Sequence, residues 1–450
     1  MLEGNEDLGN IYHKAINYGL KKGADQVELF VIEGYSDVIQ LEKNAIKASE
    51  SKSVTGLGVR AYTKKGLGIA TTSLIDEDST KDIVNKAVKL SKLSPPDKLF
   101  KTLPGPFEKY PAIDGLSNEG VSNLSADKLT EMAIHAIDSA LEKHDVVVSG
   151  NLTRSHATET IYNSLGVEVT QNLSSLSGVI FVKAEKKDDI ATSWDYQKTR
   201  SVKEFDPERI GRTASENAIS LLGSKKIRSQ ELPIILDSRG SLDTLSSIIS
   251  AGLDAFEVIL GTAYFKDRLG EQITNEEITL IDNPLYPRGV GSANFDDEGV
   301  PHNELTLIDG GVAKAYFSNS YCANVLGIKN TGHASKGSLS SKPHPDLTQI
   351  QISPGSWSVD EIISETKKGL YLKDSSLEPS SGSPNISVLI DQGFIIEKGE
   401  ISHPLKETMV GTNIFDLLKN INAVSKEVIN ESGSISPTIR ISKAKIAGGE

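Results

Sequence analysis

The chain has 450 residues, 38% of them hydrophobic and 24% charged, and its 48 Lys and Arg against 61 Asp and Glu give a formal net charge of -13. The length exceeds what one core serves and predicts two or more domains; only short basic pairs occur, such as Lys64-Lys65 and Lys186-Lys187, which excludes direct nucleic-acid binding. There is no apolar run of about 18 residues to span a membrane, and the acidic start MLEGNEDLGN resembles neither a signal peptide nor a basic presequence, so a cytoplasmic protein is expected.

Residues 7–23 read as a helix with Leu8, Ile11, Ala15, Ile16 and Leu20 on one face and Gly23 as its stop. Strands follow at 27–32 and 37–42, then a pair, 53–63 and 66–73, reversing through Thr63-Lys64-Lys65-Gly66. A second helix, 80–92, turns Ile83, Ala87 and Leu90 inward. Helix, antiparallel strands, helix is an α+β order rather than a βαβ series. Five prolines (Pro95, Pro96, Pro104, Pro106, Pro111) make 94–115 an extended connector.

Ser125 then caps a helix to about Lys143, with Leu129, Met132, Ala133, Ala136, Ile137 and Ala140 apolar. The strands ETIY and VEVTQN flank the turn Asn163-Ser164-Leu165-Gly166, 178–184 adds another, and Asp206-Pro207 opens a helix that Gly223 ends. The charged segment 224–230 is a boundary. An N-terminal α+β region, 1–225 with subdomains 1–93 and 116–225, therefore precedes a C-terminal domain, 226–450.

In that second domain 233–237 reads as a strand and 241–260 as a helix, while 335–345 is a polar loop. Strand 348–352 ends at Pro354-Gly355; 386–390 and 393–401 are β-prone with a reversal at Lys398-Gly399; 413–420 is a late helix and 438–446 a closing strand. The stretch 281–326 carries the most chemistry. Its acidic triplet Asp296-Asp297-Glu298 ends at Gly299, and the runs 304–308 and 312–317 form a hairpin through Asp309-Gly310-Gly311. The triplet reads as a catalytic or metal-binding edge or as a solvated turn, and residue types favour the turn.

Zinc peptidases of the His-Glu type need two histidines about one helical turn apart with a glutamate between them. None of the eight histidines is followed by Glu. A weaker metal reading places His302 and Glu304 on one strand face with Asp297 or His333; exposed polar residues on a hairpin shoulder are the favoured alternative. Adjacent acids are poorly spaced for a glycosidase pair. Gly355-Ser356-Trp357 lacks the second glycine of a nucleophile elbow, and Gly56-Leu57-Gly58 and Gly66-Leu67-Gly68 sit within strands rather than in a phosphate loop. The single cysteine, Cys322, excludes an internal disulfide or multi-cysteine zinc site and reads as a buried apolar residue.

The blocks LGEQI (269–273), NFDDEGVP (294–301), LIDGGVAKAYFSNSYCANVLG (307–327) and NTGHA (330–334) resemble the TldD/PmbA family in its PmbA, or TldE-like, branch. SPG, KGLYL, GFIIEKGEISHPLKETMVGT and the tail KIAGG continue the resemblance through 231–450, with a looser fit before it. The resemblance implies an N-terminal α+β region leading into a C-terminal antiparallel, barrel-like β domain. It also implies pairing, in which the TldD half carries His-Glu-x-x-x-His and the pair cleaves small or unfolded peptides. Counting back from LGEQI, the motif positions fall on Ser246, Ser247 and Ala251, none of which replaces imidazole or carboxylate.

The expectation is a metal-free, TldE-like partner subunit with no catalytic residue and no cofactor of its own, zinc being held by a TldD-like chain. Asp296, Asp297, Glu298, His302, Asn330, Thr331 and His333 are then the rim of a pseudo-active-site cleft. Two alternatives stay open: a stand-alone homodimeric peptide-binding module, and a hydrolase with an atypical metal site at Asp297, Glu298 and His302. No contact with nucleic acid or membrane is expected in any of them.

Overall fold

A computed structural model describes residues 3–380 and 382–449; residues 1, 2, 381 and 450 lie outside it. Helix α1 (Glu3–Lys21) leads into β1 (Gln26–Glu42), β2 (Ala45–Thr63) and β3 (Gly66–Thr72), and α2 (Glu77–Leu93) follows. The two strands expected over 27–32 and 37–42 are one strand, because β1 pairs with β2 from Gln26 to Glu42 with a single register shift. Both hairpins turn through pairs of left-handed residues, Lys43-Asn44 and Lys64-Lys65, as two-residue reversals require. Asp76 caps α2 by accepting from the Ser79 N–H, and Ile83, Val84, Ala87 and Val88 form its buried stripe. Leu90, expected inside, is exposed, since Val84 and Val88 complete that face instead.

The second unit repeats the plan. Helix α3 (Glu119–Ser122) is a single turn, and α4 (Ala126–Leu141) starts at the Ser125 cap. Strands β4 (Val146–Asn163), β5 (Glu168–Lys186) and β6 (Asp189–Thr199) precede α5 (Pro207–Ser220), which is capped by Asp206. β1 pairs with β4 along most of its length, so both units share one antiparallel six-stranded sheet in the order β3-β2-β1-β4-β5-β6. Two cores lie on it, one under α1 and α2, the other under α4 and α5.

The C-terminal domain is built on a twelve-stranded, half-barrel sheet whose central members are β7 (Gln230–Leu236) and the long strand Ser434–Ala447. Most ladders are antiparallel, but β7 runs parallel to Lys368–Leu372, and Ile350–Ile352 parallel to Ser434–Ala447. Helix α6 (Ser238–Leu253) packs against this sheet with Leu245, Ile248, Ile249 and Leu253 fully buried, each contributing about 1.5–3 kcal/mol of burial. The helix expected over 241–260 is two helices. Asp254 adopts an extended conformation and accepts from the Phe256 N–H, ending α6 and starting α7 (Ala255–Leu260). No described helix is long and apolar enough to cross a membrane.

Candidate functional site

Three cavities lie where the two regions meet. The largest, about 920 Å³, is a groove beside α6, walled by β6 and α5 on one side and the hairpin around Glu431 on the other. Arg239, on the first turn of α6, ties its walls together. Its Nη1 is 2.5 Å from Asp195 Oδ1, its Nε bonds Glu431, and its guanidinium lies 4.8 Å over the Tyr196 ring. Tyr196 Oη donates to Glu431 Oε2 at 2.6 Å, and Arg209 reaches Asp195 Oδ2 at 2.7 Å. Asp237, the α6 cap, has its carboxyl pushed up to about 6, by burial first and then by Asp374.

Ser246 lines this groove. Ser247 and Ala251 are half-buried on the same helix, whose Leu245, Ile248, Ile249 and Leu253 face the core. Hydroxyls and a methyl are poor donors for a divalent transition metal, and among the described residues no group of three His, Cys, Asp or Glu side chains is arranged to hold one. The residues here do not fit a catalytic zinc.

The acidic triplet is not a solvated turn. Asp296 and Glu298 are each 3% exposed, because the loop bearing them is pressed against the N-terminal sheet. Asp296 Oδ1 accepts the N–H groups of Glu298 and Val300, and Oδ2 that of Ala334. Burial, and then the neighbouring Glu298, push its carboxyl well above the usual range. Glu298 accepts from Arg60 Nη2 and from the Ser320 N–H, both at 2.9 Å.

Arg60 in turn grips Glu28 through Nε at 2.9 Å and Nη2 at 2.6 Å, and Lys336 Nζ meets Glu28 Oε1 at 2.8 Å while lying 4.2 Å over the Phe30 ring. The result is a buried chain of alternating charge that fastens β1 and β2 to the C-terminal domain. Burial alone would raise the Glu28 carboxyl, but Arg60 and Lys336 outweigh it and hold it at about 2.

Glu298 and Asp297 face different spaces. Glu298 and Arg60 contribute to a cavity of about 620 Å³, whereas Asp296, Asp297, His302 and His333 line one of about 270 Å³. Asp297 spends Oδ2 on the Lys336 backbone N–H at 2.5 Å. The atypical metal site expected from Asp297, Glu298 and His302 therefore has no common focus. The His302–Glu304 pairing fails too, because the strand begins only at Leu305: His302 is buried and Glu304 exposed.

Burial, followed by the neighbouring His333, pushes the His302 imidazole down to about 3, so it is neutral. His333 Nε2 sits 3.2 Å from Asp282 Oδ2, an ion-pair distance without hydrogen-bond alignment, while Nδ1 is 2.9 Å from the Thr331 carbonyl oxygen. Asn330 and Thr331 line neither cavity. Asn330 Nδ2 donates to Ser320 Oγ, and Thr331 Oγ1 accepts the Ser318 N–H, so both fasten the loop beneath His333. Cys322 is fully buried, and burial pushes its thiol up to about 12, as an apolar packing residue requires.

Sequence reading missed Glu28, Arg60 and Arg239, whose roles depend on the other domain. A charged residue inside an otherwise apolar strand, such as Glu28 in QVELFVI, was the available signal.

Three domain profiles of one family match in order: PmbA/TldA metallopeptidase domain 1 over residues 27–91, its central domain over 119–222 and its C-terminal domain over 229–448. The chain is 25% identical over 457 residues to a metalloprotease PmbA homolog of Haemophilus influenzae, spanning 98% of this chain and 96% of the relative. It is 26% identical over 411 residues to a metalloprotease TldD homolog of Buchnera aphidicola, spanning 87% and 83%. Its fold superposes on the crystal structure of TldE from Thermococcus kodakarensis with a TM-score of 0.88 and 25% identity, covering 97% of this chain and all of that one. The α+β fold, the order of the three profiles and the full-length relatives agree: this chain belongs to the PmbA/TldD family.

Proposed function

We propose that this chain is the non-catalytic, TldE-like subunit of a TldD–TldE type metalloprotease acting on small or unfolded peptides in the cytoplasm. The observation that carries the reading is α6. It borders the largest groove, which Ser246 lines, and counting back from LGEQI puts Ser246, Ser247 and Ala251 of this helix at the His, Glu and His positions of the catalytic half. These side chains neither bind zinc nor polarise water, so the metal and the general base belong to the TldD-like partner. This chain's contribution is shape and charge: a groove rigidified by Arg239, Asp195 and Glu431, beside which an extended peptide is held.

Mixing the purified chain with its cognate TldD-like chain tests the reading. A complex on size exclusion with raised peptidase activity is expected; two separate peaks with unchanged activity refute it and favour the stand-alone homodimeric module.

A further inference from the structure

The smallest of the three interfacial cavities, about 270 Å³, lies between β4 and β5 of the N-terminal sheet and the loops that carry His302, His333 and Asp346. Its volume is far above the ~10–15 Å³ that one water needs. Four acidic residues, Glu159, Asp296, Asp297 and Asp346, line it. Arg200 is the one Arg or Lys side chain among the described residues of the lining; its charge lowers Glu159, but it has no N–H left to donate. Its five N–H donors go to the carbonyl oxygens of Gly289, Leu116, Ser174, Val290 and Ser292 at 2.6–3.2 Å. Lys336 has its Nζ on Glu28, and its charge lowers Glu159 and Asp297 without overcoming their burial.

The acids show the strain of this imbalance. Glu159, enclosed by protein while its outer edge stays partly accessible, is pushed up to about 7 by burial and then by Asp297. Burial also raises Asp346. Glu159 Oε2 has only a neutral partner, Gln171 Nε2 at 2.9 Å.

A second observation points the same way. His302 is 4% exposed, lines this cavity, and its Nδ1 has no hydrogen-bond partner. A neutral imidazole carries one N–H and one acceptor nitrogen. With the proton on Nε2, Nδ1 is a buried acceptor without a donor, a state that costs about 1–3 kcal/mol until one arrives. The occupant that satisfies the wall is therefore cationic and rich in donors. A divalent metal needs converging ligands, and no such group exists among the described residues. An ammonium brings three donors on one small charge and tolerates looser geometry.

We propose that the cavity bounded by Glu159, Asp297, Asp346 and His302 binds a primary ammonium group, supplied by a peptide N-terminus or a lysine side chain. Glu159 and Asp297 supply counter-charge and His302 Nδ1 accepts one N–H. The site belongs to this chain alone and does not depend on the partner-subunit reading.

Calorimetric titration of the full chain with Ala-Ala-Ala, N-acetyl-Ala-Ala-Ala and N-acetyl-Ala-Lys-Ala tests it. At least one probe with a free ammonium binds, the acetylated trialanine binds at least tenfold more weakly, and Glu159→Gln lowers the affinity of the binding probe at least tenfold. Binding by Ala-Ala-Ala alone assigns the N-terminus as the source; binding by the lysine peptide assigns the side chain. If Glu159→Gln does not fold, Asp346→Asn takes its place with the same expected loss, and the acetylation comparison on the parent chain decides without any variant. Equal binding with and without acetylation, no binding by either amine probe, or unchanged affinity in the folded variant overturns the proposal.

Discussion

Arg60→Met isolates the electrostatic join between the two regions, since it keeps the aliphatic stem and removes the charge. Arg60 is 5% exposed and bridges Glu28 and Glu298, which are 1% and 3% exposed. Removing one partner of a buried ion pair costs about 3–5 kcal/mol, mostly as the desolvation left on the orphaned charge. Glu298 retains only the Ser320 N–H and Glu28 retains Lys336, so the upper half of that range is expected. For a cooperative unit of the N-terminal region's size this lowers Tm by roughly 8–20 °C.

The loss depends on pH, with a definite sign. In the parent, Glu28 is held at about 2 against an ordinary 4.5; its contribution is complete above 4.5 and disappears as pH falls toward 2. In the variant burial regains the upper hand and the Glu28 carboxyl rises, so the folded state takes up a proton sooner. The deficit is then largest at pH 7 and shrinks toward pH 4. Urea unfolding of both proteins at pH 4, 5.5 and 7 measures this. A deficit below about 1 kcal/mol at pH 7, or one that does not change with pH, refutes the ionic join.

Three further outcomes follow from the site. Asp296→Ala leaves the N–H groups of Glu298, Val300 and Ala334 without their acceptor and costs about 2–3 kcal/mol or more, measured by the urea midpoint. Native Cys322 resists thiol reagents at pH 8 and reacts fully once unfolded, since its thiol is buried and raised to about 12; fast labelling of the native protein contradicts that placement. Ser246→Ala with Ser247→Ala leaves the peptidase activity of the reconstituted pair within about twofold, because neither hydroxyl has a chemical step to perform; a tenfold loss assigns them one.

What the sequence disclosed is what short-range physics controls. Ser125 and Asp206 announced helix starts because a cap needs only a side-chain oxygen and an N–H three residues on. The reversals at Lys64-Lys65 and Lys398-Gly399 were legible for the same reason. The continuity of β1 was not, since Gly34 to Asp37 looks like a break until β2 and β4 pair with it on both sides. Nor was the extra boundary at Asp254, where an aspartate inside an apolar pattern turns out to cap a new helix.

The acidic triplet was misread through distance. Glu298 meets a partner 238 residues away and Lys336 one 308 residues away, so nothing local separates a buried ionic chain from a solvated turn. The family blocks did better than the residue chemistry because they carry order across the whole domain.

Metal stoichiometry of the reconstituted pair is the sharpest probe of a division of labour between two unlike subunits. Elemental analysis of this chain alone, of the TldD-like chain and of their purified complex should give about one zinc per complex, with peptidase activity that follows that zinc. Stoichiometric zinc on this chain by itself, or a complex whose activity survives destruction of the partner's metal motif, contradicts it.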